Sequence, residues 1–252
     1  IHIKKGYANI KAIERYLSLF QSSSPSYIFM SGIENCIYYM NSEGRQKMDV
    51  FYKRLQDIRE KLSFMKNLQV MGKEMKGRYG ILDMDLSKIV ISTSNAPING
   101  SELADILRKQ YHLEMEMASA DYIVAITSVS DTKEGLYRLA DALLEIDKSL
   151  QDEKTMEKAE DERPMRVNSR PEVEMTVYEG IMGEKEEIPI EKSVGKIAGE
   201  FVYIYPPGIP IVAPGEMLLP SLVNIILNYQ EIGLPVQGLK DKTGKTIQVI
   251  KN

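Results

Sequence analysis

Glu114 and Glu116 stand two positions apart, so in a strand both carboxylates point to one face, where either can pair with an ammonium or guanidinium group. Exposed acid at a strand end is the competing reading. Ser22, Ser23 and Ser24 form a second cluster, on a turn closed by Pro25, whose hydroxyls can donate to phosphate oxygens without a formal positive charge. Taken alone it is ordinary loop chemistry, and a plain turn between two helices accounts for it. A third stretch runs from Tyr205 to Glu216. There Pro206, Pro207 and Pro210 stiffen the backbone, while Gly208 and Gly215 reach conformations closed to other residues. Packing of a small domain explains this stretch better than a direct chemical role. His2, His112 and the single Cys36 make no zinc spacing, so no metal is expected. A nucleophile elbow, a Walker loop and a dinucleotide glycine fingerprint are also missing, and Met115 and Met117 read as core filler.

Hydrophobic periodicity supplies the elements that must hold these groups. Ile10, Ile13, Leu17 and Phe20 predict a helix over residues 8–20, ended by the serine turn. Two more helices follow over residues 27–65, the second with Met48, Phe51, Leu55, Ile58 and Leu62 on one face. Strand formers recur at 88–92 and 122–127. Between them a helix is expected, with Ser101 as its cap, Glu102 and Asp105 in its first turns, and Leu103, Ile106 and Leu107 inward. Asp131, Thr132 and Glu134 approximate a capping box for a further helix that buries Leu136, Leu139, Ala140, Leu143 and Ile146. The alternation predicts a compact α/β unit. Residues 149–163 are mostly charged and read as a solvated helix end or linker, with a boundary near residue 160. Beyond it we expect a strand at 173–178 and a proline-broken segment at 202–212. A helix is expected over 216–230, with Leu219, Leu222, Val223 and Ile226 inward, then a hairpin turn at 241–244.

The 252-residue length suits two domains, and 43% hydrophobic with 27% charged residues is an ordinary globular balance. A net charge of -4 argues against nucleic acid or an anionic membrane surface as partner. Cys36 has no intrachain disulfide partner and is expected as a buried, inert thiol in a reducing cytoplasm. No apolar run reaches membrane-spanning length and no secretory signal is visible. The chain begins at Ile1 without a methionine, which reads as a removed start or as part of a longer polypeptide.

Three motifs together carry a family resemblance: SSSPSY at 22–27, EMEMASADYIVAIT at 114–127 and YPPGIPIVAPGE at 205–216. In that order they resemble the Orn/Lys/Arg decarboxylases, basic amino-acid decarboxylases of the fold-type-I pyridoxal-phosphate class, the third motif being the most specific. The resemblance implies an α/β (α+β) chain. Residues 1–70 would be the helical end of the cofactor-binding large domain, 71–160 a small α/β domain with linker, and 161–252 a separate α+β carboxy-terminal domain. It implies Ser22, Ser23 and Ser24 as contacts to the pyridoxal 5'-phosphate of a neighbouring subunit in a shared active site. Glu116, with Glu114 as fallback, would meet the substrate's side-chain cation, and Tyr205 and Glu216 would shape the active-site entrance.

The cofactor lysine of that family sits in a serine-x-histidine-lysine-threonine motif that would fall shortly before Ile1. No catalytic residue and no covalently held cofactor are therefore assigned to this chain, which is expected to be inactive alone. The implied parent is a cytoplasmic lyase. It would convert arginine, lysine or ornithine to an amine plus carbon dioxide in polyamine biosynthesis, as a homodimer or larger assembly, with arginine favoured by resemblance. One alternative is a non-catalytic assembly or regulatory module. Another is a fold-type-I aminotransferase, which needs an arginine clamp for the α-carboxylate; Arg108 and Arg138 fit exposed helix faces better.

Overall fold

The computed structural model describes residues 2–4, 6–78, 80–150, 171–205 and 208–251, and the chain divides into two compact units, Ile1–Val50 and Phe51–Asn252. The first unit is helical. Helix α1, Ile10–Phe20, is capped by Asn9, and α2, Tyr27–Tyr39, by Ser26. A π-helical turn, Met40–Gly44, then leads into α3, Arg45–Leu62. The expected helices are present, but their stripes are not covered: no residue of α1 or α2 is buried, and Phe20 and Ile28 are 84% and 82% exposed. Cys36 is likewise exposed, which corrects the buried thiol, because α2 is apolar around much of its circumference and nothing in its own unit shields that side.

The second unit holds two hydrophobic cores. Around the first, strands β1 (Gln69–Val70), β2 (Lys88–Ser92), β3 (Met117–Ala118) and β4 (Tyr122–Ile126) form one sheet in the order β1-β2-β4-β3, with every pair antiparallel. In the β2–β4 register Ile89 lies opposite Ala125 and Ile91 opposite Ile123, and all four are buried on one face. Helices α4 (Gly100–Tyr111) and α5 (Lys133–Ser149) contribute the same core, with Phe51, Leu55, Ile58 and Leu62 of α3. Met48, placed on that stripe by spacing, is exposed.

The cap of α4 is Asn99, in a reciprocal capping box with Glu102, rather than Ser101, which lies within the first turn. Gly100 makes this start possible, since a Cβ there would lie 2.3 Å from the Ser119 carbonyl oxygen and 2.5 Å from that of Tyr122. Thr132 caps α5, but its partner is the Gly135 amide, so the expected box with Glu134 does not form. Two buried or half-buried charges fasten the layers. Asp147 of α5 accepts three amides from residues 66–68, and Arg59 of α3 donates to the carbonyls of Leu86, Met71 and Lys88. Ser149 ends α5, and the rest of the expected linker, with its boundary near residue 160, lies outside the described residues apart from Leu150.

The second core is built by β5 (Lys185–Pro189), β6 (Val202–Ile204), β7 (Pro210–Val212), α7 (Pro220–Glu231), β8 (Val236–Gln237) and β9 (Thr246–Ile250), preceded by the short helix α6 (Val177–Met182), whose apolar side chains are exposed. Strands β5 and β9 pair alone, and β7-β6-β8 form a second small sheet. The strand expected at 173–178 is not formed. Val173 makes one isolated bridge, and Thr176 with Glu179 closes a capping box that starts α6. Helix α7 begins at Pro220 rather than near 216, because proline suits the first helical position and Leu219 precedes it. The turn at Asp241 exists, yet it is not a hairpin, since β8 pairs with β6 and β9 with β5.

Candidate functional site

Two elements of the first core and two short segments of the second enclose a cleft of about 360 Å³. Its first wall is α4, followed by the segment into β3. His112 makes the reversal between them. It ends α4 in the left-handed conformation at φ 52°, and the Leu113 amide bonds back to the Leu107 carbonyl at 3.0 Å. After this turn burial alternates, with Glu114 and Glu116 exposed and Leu113, Met115 and Met117 half-buried, so both acids share a face, as the spacing predicts. The opposite wall carries Ile204, Tyr205, Leu234 and Pro235. Ala104 and Leu234 are buried and give the cleft an apolar floor beneath an acidic rim.

The two acids are not equivalent. The Arg108 guanidinium donates from Nε to both Glu114 oxygens at 3.1 and 2.8 Å and from Nη2 to Oε1 at 2.7 Å. Asp105 braces the same group by accepting from Arg108 Nη1 at 3.3 Å, and takes Lys109 Nζ at 2.7 Å with its other oxygen. Arg108 holds the Glu114 carboxyl below its ordinary range and is itself raised by it, while Asp105 is lowered first by Lys109 and then by Arg108. Among the described residues the Glu116 carboxylate has no hydrogen bond or ion pair; only its amide is engaged, donating to Val124. The cleft therefore presents one uncompensated carboxylate above apolar walls, an arrangement that can take a cation on an aliphatic stem.

Of the residues singled out from sequence, Glu114, Glu116 and Tyr205 meet in this cleft. Glu216 does not line it. Its carboxylate accepts the Ala213 amide at 2.7 Å and closes the turn after β7. Ser22, Ser23 and Ser24 belong to the first unit, all exposed, with Ser22 Oγ donating to the Ser24 carbonyl at 3.2 Å. Sequence reasoning missed Arg108 as a site residue. The spacing of Asp105, Arg108 and Lys109 does place them on one helix face, but the reach to Glu114 depends on the left-handed turn at His112. A larger open groove, about 680 Å³, lies beside α3 and β1, where the Arg59 cation is already committed to three carbonyls.

Comparison with known proteins agrees with this architecture. Residues 155–242 match the family profile of the Orn/Lys/Arg decarboxylase C-terminal domain. Over its full length the chain is 29% identical to an arginine decarboxylase of Bacillus anthracis and 30% identical to one of Halalkalibacterium halodurans, spanning 50% of each. The fold resembles the constitutive lysine decarboxylase of Escherichia coli (TM-score 0.71, 18% identity, 98% of this chain, 46% of that one). A Francisella novicida lysine decarboxylase is similar in fold (TM-score 0.72, 19% identity, 98% and 46%). These matches make the chain similar to the carboxy-terminal portion of Orn/Lys/Arg decarboxylases. It spans about half the length of the relatives it matches. No helix among the described residues is long and apolar enough to cross a membrane.

Proposed function

We propose that the whole protein removes the α-carboxylate of a basic amino acid as carbon dioxide, and that Glu116 receives the distal cation of that substrate. The free Glu116 carboxylate in an otherwise charge-paired cleft carries this reading. Its pairing with the cation orients the substrate, while Ala104, Ile204 and Leu234 exclude water along the methylene stem. Tyr205 shapes the approach directly, and Glu216 shapes it by folding the turn from Ala213. Arginine is the first choice of substrate, because the full-length matches are named arginine decarboxylases, whereas an Escherichia coli lysine decarboxylase matches over 19% of the chain.

Pyridoxal phosphate, when bound, supplies the electron sink that accepts the bonding pair as carbon dioxide leaves. The hydroxyls of Ser22, Ser23 and Ser24 fit its phosphate as a donor set. They are exposed on the turn before α2, and the side chains of Ser23 and Ser24 have no hydrogen bond among the described residues. In this reading residues 1–70 complete the cofactor-binding domain, 71–160 form the small domain and 161–252 the carboxy-terminal one. The uncovered apolar sides of α1 and α2 support a larger surrounding body. The enzyme is a cytoplasmic homodimer or higher assembly with a shared site, serving polyamine biosynthesis.

The test is carbon dioxide release by the whole protein with pyridoxal phosphate, from arginine, lysine and ornithine, before and after Glu116→Gln. Loss of one charge-assisted contact should lower kcat/KM about ten- to a hundredfold. An unchanged kcat/KM overturns the role of Glu116. No release from any of the three amino acids favours an assembly module instead.

A further inference from the structure

The cleft is lined by three acids, Asp105, Glu114 and Glu116, and by one cation, Arg108, with Lys109 reaching Asp105 from the same helix face. If all three acids were free, a ligand end bearing two positive charges would bind best. They are not free. Arg108 occupies both oxygens of Glu114 and one oxygen of Asp105, and Lys109 occupies the other.

We propose that Arg108 is a specificity-determining residue, which withdraws Glu114 from the cleft and so sets it to accept a ligand end carrying one positive charge rather than two. This rests on the reading of the cleft as the distal-cation site. The planar fork is what the role requires, because a guanidinium can hold two carboxylate oxygens in a fixed plane where an ammonium acts as a point charge. Asp105 fixes that plane from below, and the turn at His112 returns the chain so that Glu114 meets it. Removing the guanidinium leaves two free carboxylates on one face, two residues apart, a pair that two nearby cations can bridge.

The 252-residue chain carries reporters for a direct test, since Met115 and Met117 belong to the segment that lines the cleft and their methyl signals can be followed by NMR. The probes are propylamine, with one cation, and 1,3-diaminopropane, with two. Arg108→Gln should raise affinity for the diamine relative to the monoamine about three- to fivefold, the scale of an exposed ion pair. Arg108→Lys should raise it less. Arg108→Gln with Glu114→Gln should return the ratio to that of the unsubstituted chain, a reversal that a merely structural effect of Arg108 would not give. Glu116→Gln separates the two levels of the argument by abolishing the propylamine shifts. If it does so while Arg108→Gln leaves the diamine-to-monoamine ratio unchanged, the role of Arg108 is overturned and the cation site stands. If Glu116→Gln changes nothing, the cation site falls, and the role of Arg108 with it.

Discussion

Asp147 offers the sharpest check on how the first core is fastened. It is 3% exposed, and its carboxylate accepts the Lys66 amide on Oδ2 at 2.9 Å and those of Asn67 and Leu68 on Oδ1, both at 2.8 Å. The Asn67 side chain adds a bond to the Asp147 carbonyl at 3.1 Å. One α5 side chain thereby orders the whole connection from α3 into β1. Asp147→Ala would strand these donors unequally, because water reaches the exposed Lys66, reaches Asn67 partly and does not reach Leu68, which is 1% exposed. At about 1–3 kcal/mol for a buried unpaired donor and less for the others, the cost is about 3 kcal/mol. For a unit of this size that lowers Tm by about 6–12 °C. Asp147→Asn keeps one carbonyl oxygen for Asn67 and Leu68 but turns an amide donor toward Lys66, and should cost about 1–2 kcal/mol. Thermal unfolding followed by circular dichroism reads the order, and hydrogen exchange at Leu68 localises it. A Tm for Asp147→Ala within about 2 °C of the unsubstituted chain, or an Asn variant weaker than the Ala variant, would refute this reasoning.

Two further perturbations test the site's supports. Gly100→Ala must push the start of α4 off the Ser119 and Tyr122 carbonyls, costing about 1–3 kcal/mol and shifting the Met115 and Met117 methyl signals; an unchanged Tm would show that the close approach relaxes freely. Asp241 has its carboxyl held far below the ordinary range, chiefly by the Thr243 hydroxyl and amide, with the Thr246 and Lys245 amides adding to it. A carboxyl lowered by folding stabilises fully above its unfolded value of about 3.9, and that contribution is lost as pH falls toward the folded value. The Tm difference between the unsubstituted chain and Asp241→Asn should therefore shrink as pH drops below about 4, and a difference constant with pH would contradict it.

Periodicity located most elements because it reports which face of a segment is apolar, and β2, α5 and the inner side of α3 have only one such face. It does not report what covers that face. That is why the stripe of α1 is readable while its exposure is not, and why Cys36, in an apolar run, reads as buried although it is exposed. Capping erred by one or two residues where several polar side chains compete. Asn99, Ser101 and Glu102 can all serve at α4, and the close approach permitted by Gly100 decides for Asn99. Strand pairing was not legible around Asp241, because a turn residue reveals a reversal but not which strand receives the returning chain.

The charge state of the cleft was the least legible feature, and for a specific reason. Glu114 and Glu116 differ little in sequence, since both are flanked by apolar residues and both lie on the same face once burial alternates. What separates them is Arg108, six residues before Glu114, outside the helical spacings at which ion pairs are normally anticipated. It reaches Glu114 because His112, a non-glycine residue, takes a left-handed backbone conformation and lets the chain fold back along α4. Pairing across such a turn depends on one dihedral angle, which neither composition nor periodicity encodes. A substitution that prevents the turn should therefore free Glu114 as effectively as loss of Arg108. The two sites act through one geometric link, from turn to ion pair to the charge that the cleft presents.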